Sequence, residues 1–146
     1  MEKPQAGTVI DGFTLTEGLK AGGMATLWRA THPDETAPLV LKIPFFHPGD
    51  DVSAILGYEA EALIHRRLAG PHVPRFVAAG DLARTPYIAM EFVAGTSLAE
   101  TMRRAPLPAA ETARIGEAIA VALAELHRQG VVHLDLKPEN VMMVGN

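Results

Sequence analysis

An acid, a cation and an amide stand close together in a short polar stretch near the end of the chain. Asp135 could accept a proton from a hydroxyl group, and Lys137 could lie against a phosphoryl group during transfer. Asn140 offers a carbonyl oxygen, which is a ligand type that Mg²⁺ accepts. Phosphoryl transfer depends on positioning and charge stabilisation, and these three groups would supply both. The residues therefore indicate phosphoryl transfer, and the alternative is a polar turn between two buried strands.

Apolar segments on both sides of this stretch predict the elements that would hold it in place. Val131-Val132 precedes it and Val141 to Val144 follows it, and both predict strand-like edges. Upstream, a long helix is predicted over Ala109–Gln129, with Gly130 at the position that ends it. One face of that helix would be core, formed by Ile115, Ile119, Leu123 and Leu126.

The segment Val131–Val141 resembles the catalytic loop of protein kinases, whose pattern is His-Arg-Asp-Leu-x-x-x-Asn. Leu134 stands in place of the Arg, and Lys137-Pro138-Glu139-Asn140 is similar to the Ser/Thr-kinase form. His133 is interpreted as a structural histidine that fixes the loop. The resemblance implies ATP and Mg²⁺ as cofactors, with Asp135 as the base, Lys137 as the phosphate contact and Asn140 as a metal ligand.

A glycine turn follows a first strand predicted over Phe13–Leu19. Such a turn can lay backbone N–H groups over phosphates, although a plain hairpin is the alternative. The stretch resembles the Gly-rich loop of bacterial eukaryote-like Ser/Thr kinases, but Lys20 and Ala25 stand where the family has glycines. Each of them adds a Cβ to a loop that must approach a nucleotide. The ATP-binding residues implied here are Leu19, Lys20, Ala21, Gly22, Gly23, Met24, Ala25 and Leu27.

A single cation interrupts the apolar run Pro38–Pro44, which predicts a short buried strand. A buried lysine needs a partner, whereas a lysine on an edge strand could extend its ammonium group into water. The run resembles the Val-Ala-Ile-Lys strand of kinases. This implies that Val40 and Lys42 contact the nucleotide and that Lys42 pairs with a helix glutamate.

That glutamate would lie on a helix predicted over Val52–Leu68, which begins after an Asp N-cap in Pro48–Asp51. Glu59 and Glu61 flank opposite sides of its apolar stripe, so periodicity leaves open which of them faces Lys42. The spacing in the family, counted from Leu68 and Pro71, selects Glu61. The stripe itself comprises Leu56, Ala60, Leu63, Ile64 and Leu68.

Two further strands are predicted over Arg75–Ala79 and Tyr87–Val93, around a turn at Gly80-Asp81, and a short helix over Ser97–Arg104. The run from Pro86 to Gly95 resembles the strand and hinge that join the two kinase lobes, although an ordinary buried strand fits the same residues. The resemblance implies that Met90 limits the adenine pocket and that the backbones of Glu91 and Val93 bind the adenine edge.

Composition excludes several other classes of function. The chain has 146 residues, a net charge of -4 and no cysteine, which excludes disulfides and thiolate metal sites and suits a cytoplasmic location. The absence of a basic stripe or polybasic run argues against nucleic acid and membrane surfaces as partners. The chain also has no apolar segment long enough to span a membrane.

These observations predict an α+β, protein-kinase-like fold. Residues 1–93 would form a small antiparallel β lobe with one helix, and residues 94–146 the beginning of a helical lobe. The expected activity is transfer of the ATP γ-phosphoryl group to Ser/Thr hydroxyls of a protein substrate. No Asp-Phe-Gly motif is present, so the chain is expected to be an incomplete and inactive catalytic domain. The alternatives are a non-catalytic nucleotide-binding or protein-interaction module, and a small-molecule phosphotransferase, which Lys137-Pro138 disfavours.

Overall fold

The computed structural model describes residues 4–21, 25–45 and 52–145, and the side chains of helix residues from 55 onward. The chain divides into two compact units. The first comprises Met1–Ala69 and Val73–Phe92, and the second comprises Gly70–His72 and Val93–Asn146. No helix among the described residues is long and apolar enough to cross a membrane.

An antiparallel sheet of six strands forms the first unit, with strand order β1-β2-β3-β4-β6-β5. The predicted strands are confirmed, with β4 three residues longer at its start and β5 and β6 shorter than expected. Their bounds are Val9–Ile10 (β1), Phe13–Ala21 (β2), Ala25–His32 (β3), Glu35–Pro44 (β4), Phe76–Ala79 (β5) and Ile88–Glu91 (β6).

Alternation along β4 divides its side chains between the two faces of the sheet. Leu39, Leu41 and Ile43 are buried in the main apolar core together with Phe13, Leu15, Ala30, Tyr87 and Ala89. Val40 and Lys42 lie between them in sequence and therefore face the opposite side. The lysine that interrupts the apolar run thus lies on the other face of the sheet from this core.

Helix α1 spans Val52–Arg67 and packs on the sheet through Tyr58 and Ala62, which form a second apolar cluster with Ile88. The apolar stripe noted in the sequence of this helix is not the side that packs on the sheet. Leu56 is 57% exposed and Leu63 is 59% exposed. The side that meets the sheet is defined instead by an aromatic residue and the alanine one turn later. The predicted Asp N-cap at 48–51 lies outside the described residues.

Among its described residues the second unit contains one long helix, one short α-helix, two 3₁₀ turns and a two-stranded sheet. Helix α3, Ala109–Arg128, confirms the prediction, and Gly130 follows it with φ 75°. Val131 and Val132 do not form the predicted strand, because the strand after the loop, Met142–Met143, pairs with Thr96–Ser97 and not with them. The remaining elements are β7 (Thr96–Ser97), α2 (Leu98–Thr101), a 3₁₀ turn (Met102–Arg104), a second 3₁₀ turn (Pro138–Asn140) and β8 (Met142–Met143), which pairs with β7.

Candidate active site

Three side chains at the end of the second unit form a connected hydrogen-bonded group. Lys137 Nζ lies 3.0 Å from Asp135 Oδ1 and 2.8 Å from Oδ2. Asn140 Nδ2 donates to Asp135 Oδ2 and to the Asp135 carbonyl, both at 2.9 Å. The acid, the cation and the amide that the sequence singled out are therefore in direct contact.

The backbone around this group is held by turns and by one short sheet. Pro138 begins the 3₁₀ turn, and Asn140 N donates to the Lys137 carbonyl at 2.9 Å, which brings the amide back toward the acid. Asp135 N donates to the His133 carbonyl at 2.8 Å and lies 3.3 Å from His133 Nδ1. These contacts suit the structural role expected of His133.

Strand β8 fixes the end of the loop through its pairing with β7. The Leu98 N–H donates to the Val141 carbonyl at 2.8 Å, at the start of the helix that Ser97 caps. A side chain at Gly95 would place its Cβ 2.3 Å from the Met143 carbonyl oxygen. Glycine is therefore required where the chain approaches the strand that follows the loop.

Electrostatics keep Asp135 ionised. The hydrogen bond from Lys137 is the main cause that lowers the pKa of Asp135, and Asn140 adds to it. The same contact raises the pKa of Lys137. A carboxylate so stabilised can accept a hydrogen bond from a hydroxyl group, but its basicity is reduced. Its contribution would thus lie in orienting a nucleophile more than in removing a proton before transfer.

A second charged pair lies in the first unit, on the helix-facing side of the sheet. Lys42 Nζ is 2.5 Å from Glu61 Oε1, and the two side chains are 33% and 35% exposed. Glu59, the other glutamate that the helix period left open, is exposed. The structure therefore pairs Lys42 with Glu61.

Strand register gathers several of the expected ATP-binding residues on the face that carries Lys42. Leu27 is the register partner of Lys42 across β3 and β4, and Val40 is the partner of Met90 across β4 and β6. Register partners in an antiparallel sheet point to the same face. Three apolar side chains and one ammonium group thus share one surface, a composition that suits a base and its phosphates.

The end of β6 is held by backbone and side-chain contacts. The Glu91 N–H donates to the Arg75 carbonyl and the Phe92 N–H to the Pro38 carbonyl, each at 2.9 Å. Arg75 also forms ion pairs with Glu35 at 2.6 Å and with the Glu91 carboxylate at 3.5 Å. The guanidinium group of Arg29 lies 4.0 Å from the centre of the Phe92 ring. The backbone at the expected hinge is therefore held by hydrogen bonds at Glu91 and Phe92.

A family model described as protein kinase domain matches residues 13–146. The chain belongs to the protein kinase domain family.

Curated relatives of this kinase domain are named Ser/Thr kinases, and several of them are bacterial. The chain is 30% identical over 138 residues to the serine/threonine-protein kinase PknJ of Mycobacterium tuberculosis, covering 94% of the chain and 23% of PknJ. It is 28% identical over 136 residues to pkn2 of Myxococcus xanthus, covering 92% of the chain and 16% of that protein. The chain therefore spans less than a quarter of the length of these two relatives.

Solved structures, among them a kinase domain, have the same fold. The M. tuberculosis PknI kinase domain superposes with a TM-score of 0.83 at 27% identity, over 97% of this chain and 58% of that chain. A structure titled "PpkA-294 apo form" gives a TM-score of 0.81 at 18% identity, over 96% of this chain and 57% of that chain, and bears on the fold alone. The sheet and helix of the first unit match the smaller kinase lobe, and the second unit matches the start of the helical lobe.

One side-chain oxygen of the Asp135–Lys137–Asn140 group is a candidate metal ligand. Asn140 donates twice through Nδ2 to Asp135, so its Oδ1 atom is turned away from that acid and can serve as an oxygen ligand. Among the described residues no cluster of three or more His, Cys, Asp or Glu could hold a metal by itself.

The Gly-rich loop is described only at its two ends. Leu19, Lys20 and Ala21 lie at the end of β2, and Ala25 and Leu27 lie in β3. Lys20 is the register partner of Leu27, and Ala25 is the partner of Pro44. Gly22, Gly23 and Met24 lie outside the described residues, so their expected role stays a prediction, as does that of Val93.

Sequence reasoning missed one residue that contacts the charged pair. His65 Nε2 lies 3.8 Å from Glu61 Oε1, one helical turn further along α1. Burial lowers the pKa of His65, and Lys42 acts in the same direction, while Glu61 raises it. The spacing of four residues between a glutamate and a histidine was the signal in the sequence that could have revealed this contact.

Proposed function

We propose that this chain is the ATP-binding and catalytic-loop part of a Ser/Thr protein kinase, which transfers the γ-phosphoryl group of Mg-ATP to a protein hydroxyl. The observation that carries the proposal is the contact of Asp135 with both Lys137 and Asn140. In this arrangement one carboxylate faces an ammonium group and an amide within about one hydrogen-bond length. A hydroxyl nucleophile, a transferring phosphoryl group and a metal ion need these three chemical types.

Each of the three side chains has a distinct task in the proposal. The Asp135 carboxylate accepts the hydrogen bond of the substrate hydroxyl and orients its oxygen toward phosphorus. The Lys137 ammonium group lies against the transferring phosphoryl group, where its charge offsets the charge on the equatorial oxygens. Asn140 presents Oδ1 to Mg²⁺, and the bound ion would neutralise phosphate charge.

Residues of the first unit hold the nucleotide in this proposal. Lys42 contacts the phosphates and is oriented by Glu61, while the turn between Leu19 and Leu27 covers them. Leu27, Val40 and Met90 offer apolar contact to the base, and the backbones of Glu91 and Val93 bind its edge. The hydrogen-bonded backbone at Glu91 and Phe92 supports this role, because a strand end that is already held needs little rearrangement when a ligand binds.

The substrate is proposed to be a protein because Lys137-Pro138 follows the Ser/Thr-kinase form of the loop. The relatives PknJ and pkn2 are both named serine/threonine-protein kinases, which supports the same choice. We place the reaction in the cytoplasm, since the chain has no cysteine and ATP is its proposed phosphoryl donor.

Asp135→Asn tests the proposal. The protein is extended to the length of a whole kinase domain, because the chain covers 58% of the PknI domain, and transfer of radiolabelled phosphate from ATP to Ser/Thr peptides is measured. Loss of a positioned acid–base group costs about a hundredfold or more in rate, while nucleotide affinity is expected to change less than about twofold.

The matched control is Glu139→Gln, which removes an exposed carboxylate from the same turn. It is expected to retain transfer within about twofold of the unmodified protein. Full transfer by the Asp135→Asn protein would remove Asp135 from the reaction. Transfer to aminoglycoside or choline-like hydroxyls in place of Ser/Thr peptides would show a small-molecule phosphotransferase.

A further inference from the structure

Helix α1 is attached to the sheet by a narrow contact surface. Of its described side chains, only Tyr58 and Ala62 are buried, at 8% exposure each. They pack against Ile88 and against four partly buried neighbours, Phe76, Ala79, Leu82 and Met90. Alanine contributes only one methyl group, so Tyr58 supplies most of the buried apolar contact between α1 and the sheet.

The hydroxyl group of Tyr58 adds a directional contact to that packing. Tyr58 Oη lies 2.7 Å from the Tyr87 carbonyl oxygen and 3.1 Å from the Gly80 carbonyl oxygen, and donates to this pair of acceptors. Burial raises the pKa of Tyr58, so the hydroxyl keeps its proton and remains a donor at neutral pH. Two carbonyls at the end of the β5–β6 hairpin therefore fix one point on the helix.

The acceptors themselves are held firmly. The Gly80 N–H donates to the Tyr87 carbonyl at 2.8 Å, which closes the end of the hairpin. A Cβ added at Gly80 would lie 2.2 Å from the Thr85 carbonyl oxygen and 2.5 Å from Tyr87 Cδ1. Glycine is therefore required at this end of the hairpin, and the hydrogen bond between Gly80 and Tyr87 holds the two acceptors next to each other.

The anchored point lies beside the charged pair. Glu61 follows Tyr58 by three residues, so the two side chains are neighbours on the helix surface. Tyr58 packs on Ile88, and Ile88 is the register partner of Lys42. Tyr58 therefore contacts the sheet at Ile88, directly beside Lys42, which is the residue that Glu61 pairs with.

We propose that Tyr58 is a positioning residue for the Lys42–Glu61 ion pair, whose hydroxyl group sets the place and rotation of α1 through the Gly80 and Tyr87 carbonyls. The inference rests on the proposed role of Lys42 in nucleotide binding. It assigns no contact between Tyr58 and the nucleotide. The hydroxyl acts through Glu61, so its removal should weaken nucleotide binding only while Glu61 can pair with Lys42.

Tyr58→Phe keeps the ring and removes the hydroxyl. Binding of a fluorescent ATP analogue with Mg²⁺ is measured for the unmodified chain, Tyr58→Phe, Glu61→Gln and the double variant. We expect Tyr58→Phe to weaken binding by about threefold to fivefold, the range that one buried hydrogen bond allows. In the Glu61→Gln background the same change is expected to have no further effect.

Tyr87→Phe is the matched control, because Tyr87 is the other tyrosine of the chain and is also buried. Its side chain bonds to Asp11, away from α1, while its carbonyl remains in place for Tyr58. Affinity corrected for the folded fraction is expected to stay unchanged in this variant. Two outcomes would overturn the proposal. In the first, Tyr58→Phe lowers stability but leaves nucleotide affinity unchanged. In the second, Tyr58→Phe weakens binding by the same factor in the Glu61→Gln background.

A readout without nucleotide separates this inference from the proposed function. Urea unfolding is measured for the same four proteins, and for Tyr87→Phe with and without Glu61→Gln. We expect the changes in unfolding free energy caused by Tyr58→Phe and Glu61→Gln to be non-additive. Those caused by Tyr87→Phe and Glu61→Gln are expected to be additive. If the unmodified chain bound no nucleotide but this coupling appeared, the positioning role would stand and the proposed function would fail. Additive effects in both cycles would overturn the positioning role.

Discussion

Replacing Lys42 with alanine tests the assignment on which the nucleotide-binding part of the proposal depends. The Lys42 side chain is 33% exposed and its ammonium group lies 2.5 Å from Glu61. A hydrogen bond from the Lys42 ammonium group to a charged phosphate would contribute about 1.5 to 3 kcal/mol. The partial exposure of Lys42 favours the lower part of that range, because water screens the charge. We therefore expect a loss of about 2 kcal/mol in nucleotide binding, which is about 30-fold in Kd.

The assay is a titration with a fluorescent ATP analogue and Mg²⁺, with the folded fraction of each protein checked by circular dichroism. Arg84→Ala is the control, since it removes an exposed cation from the turn between β5 and β6. Its Kd is expected to change less than about twofold. Equal losses in the two variants, or no loss at Lys42, would refute the reasoning.

The partner of Lys42 supplies a second, sharper comparison. Glu61→Gln removes the charge that orients Lys42 and keeps the shape of the side chain, so we expect a smaller loss of about fivefold in affinity. Glu59→Gln makes the same change two residues away, where the side chain is exposed, and is expected to have no effect. A larger loss at Glu59 than at Glu61 would contradict the pairing.

Two further predictions concern stability. Leu134 has φ 58° and is 92% exposed, so Leu134→Asn should raise the unfolding free energy by about 0.5 to 1 kcal/mol in urea titrations, because Asn tolerates this conformation better. Leu136→Asn should not raise the unfolding free energy, and Leu134→Arg should fold normally. A lower unfolding free energy in Leu134→Asn would contradict the argument. The pKa of His65 lies below its ordinary value of 6.5, mainly because the side chain is buried. The unfolded chain therefore binds a proton at this residue more readily than the folded chain does. Stability consequently falls as the pH drops through and below the ordinary pKa of histidine. His65→Gln should reduce the stability difference between about pH 7.5 and about pH 5.5, and an unchanged difference would contradict it.

The parts of the site that could be predicted from sequence are those whose geometry is local. Asp135, Lys137 and Asn140 lie within six consecutive residues, so one turn determines whether they meet, and the proline and the spacing specify that turn. Lys42 could be recognised for a similar reason. Strand alternation places it on the face opposite Leu41 whatever the rest of the chain does.

The choice of the buried side of α1 could not be read in the same way. Leu56, Leu63 and Ile64 form a regular apolar stripe, yet all three are exposed, and the helix meets the sheet through Tyr58 and Ala62. A helical period states which residues share a side, but the side that is covered depends on the neighbouring element. Here the covered side is the one whose tyrosine packs on Ile88 and donates to the Gly80 and Tyr87 carbonyls, and these partners follow the helix in sequence.

The failed strand at Val131 and Val132 shows what holds the catalytic loop. Apolar β-branched residues favour a strand, but a strand needs a partner, and β8 takes Thr96 and Ser97 as its partners from far upstream. The loop is consequently not suspended between two strands. Its start is set by the turn after α3, where the Val131 N–H donates to the Leu126 carbonyl at 3.0 Å, and its middle by the bonds that Lys137 and Asn140 make to Asp135. The groups proposed to perform the chemistry therefore also determine the shape of the loop, so Asn140→Ala should disturb the position of Asp135 as well as remove a metal ligand.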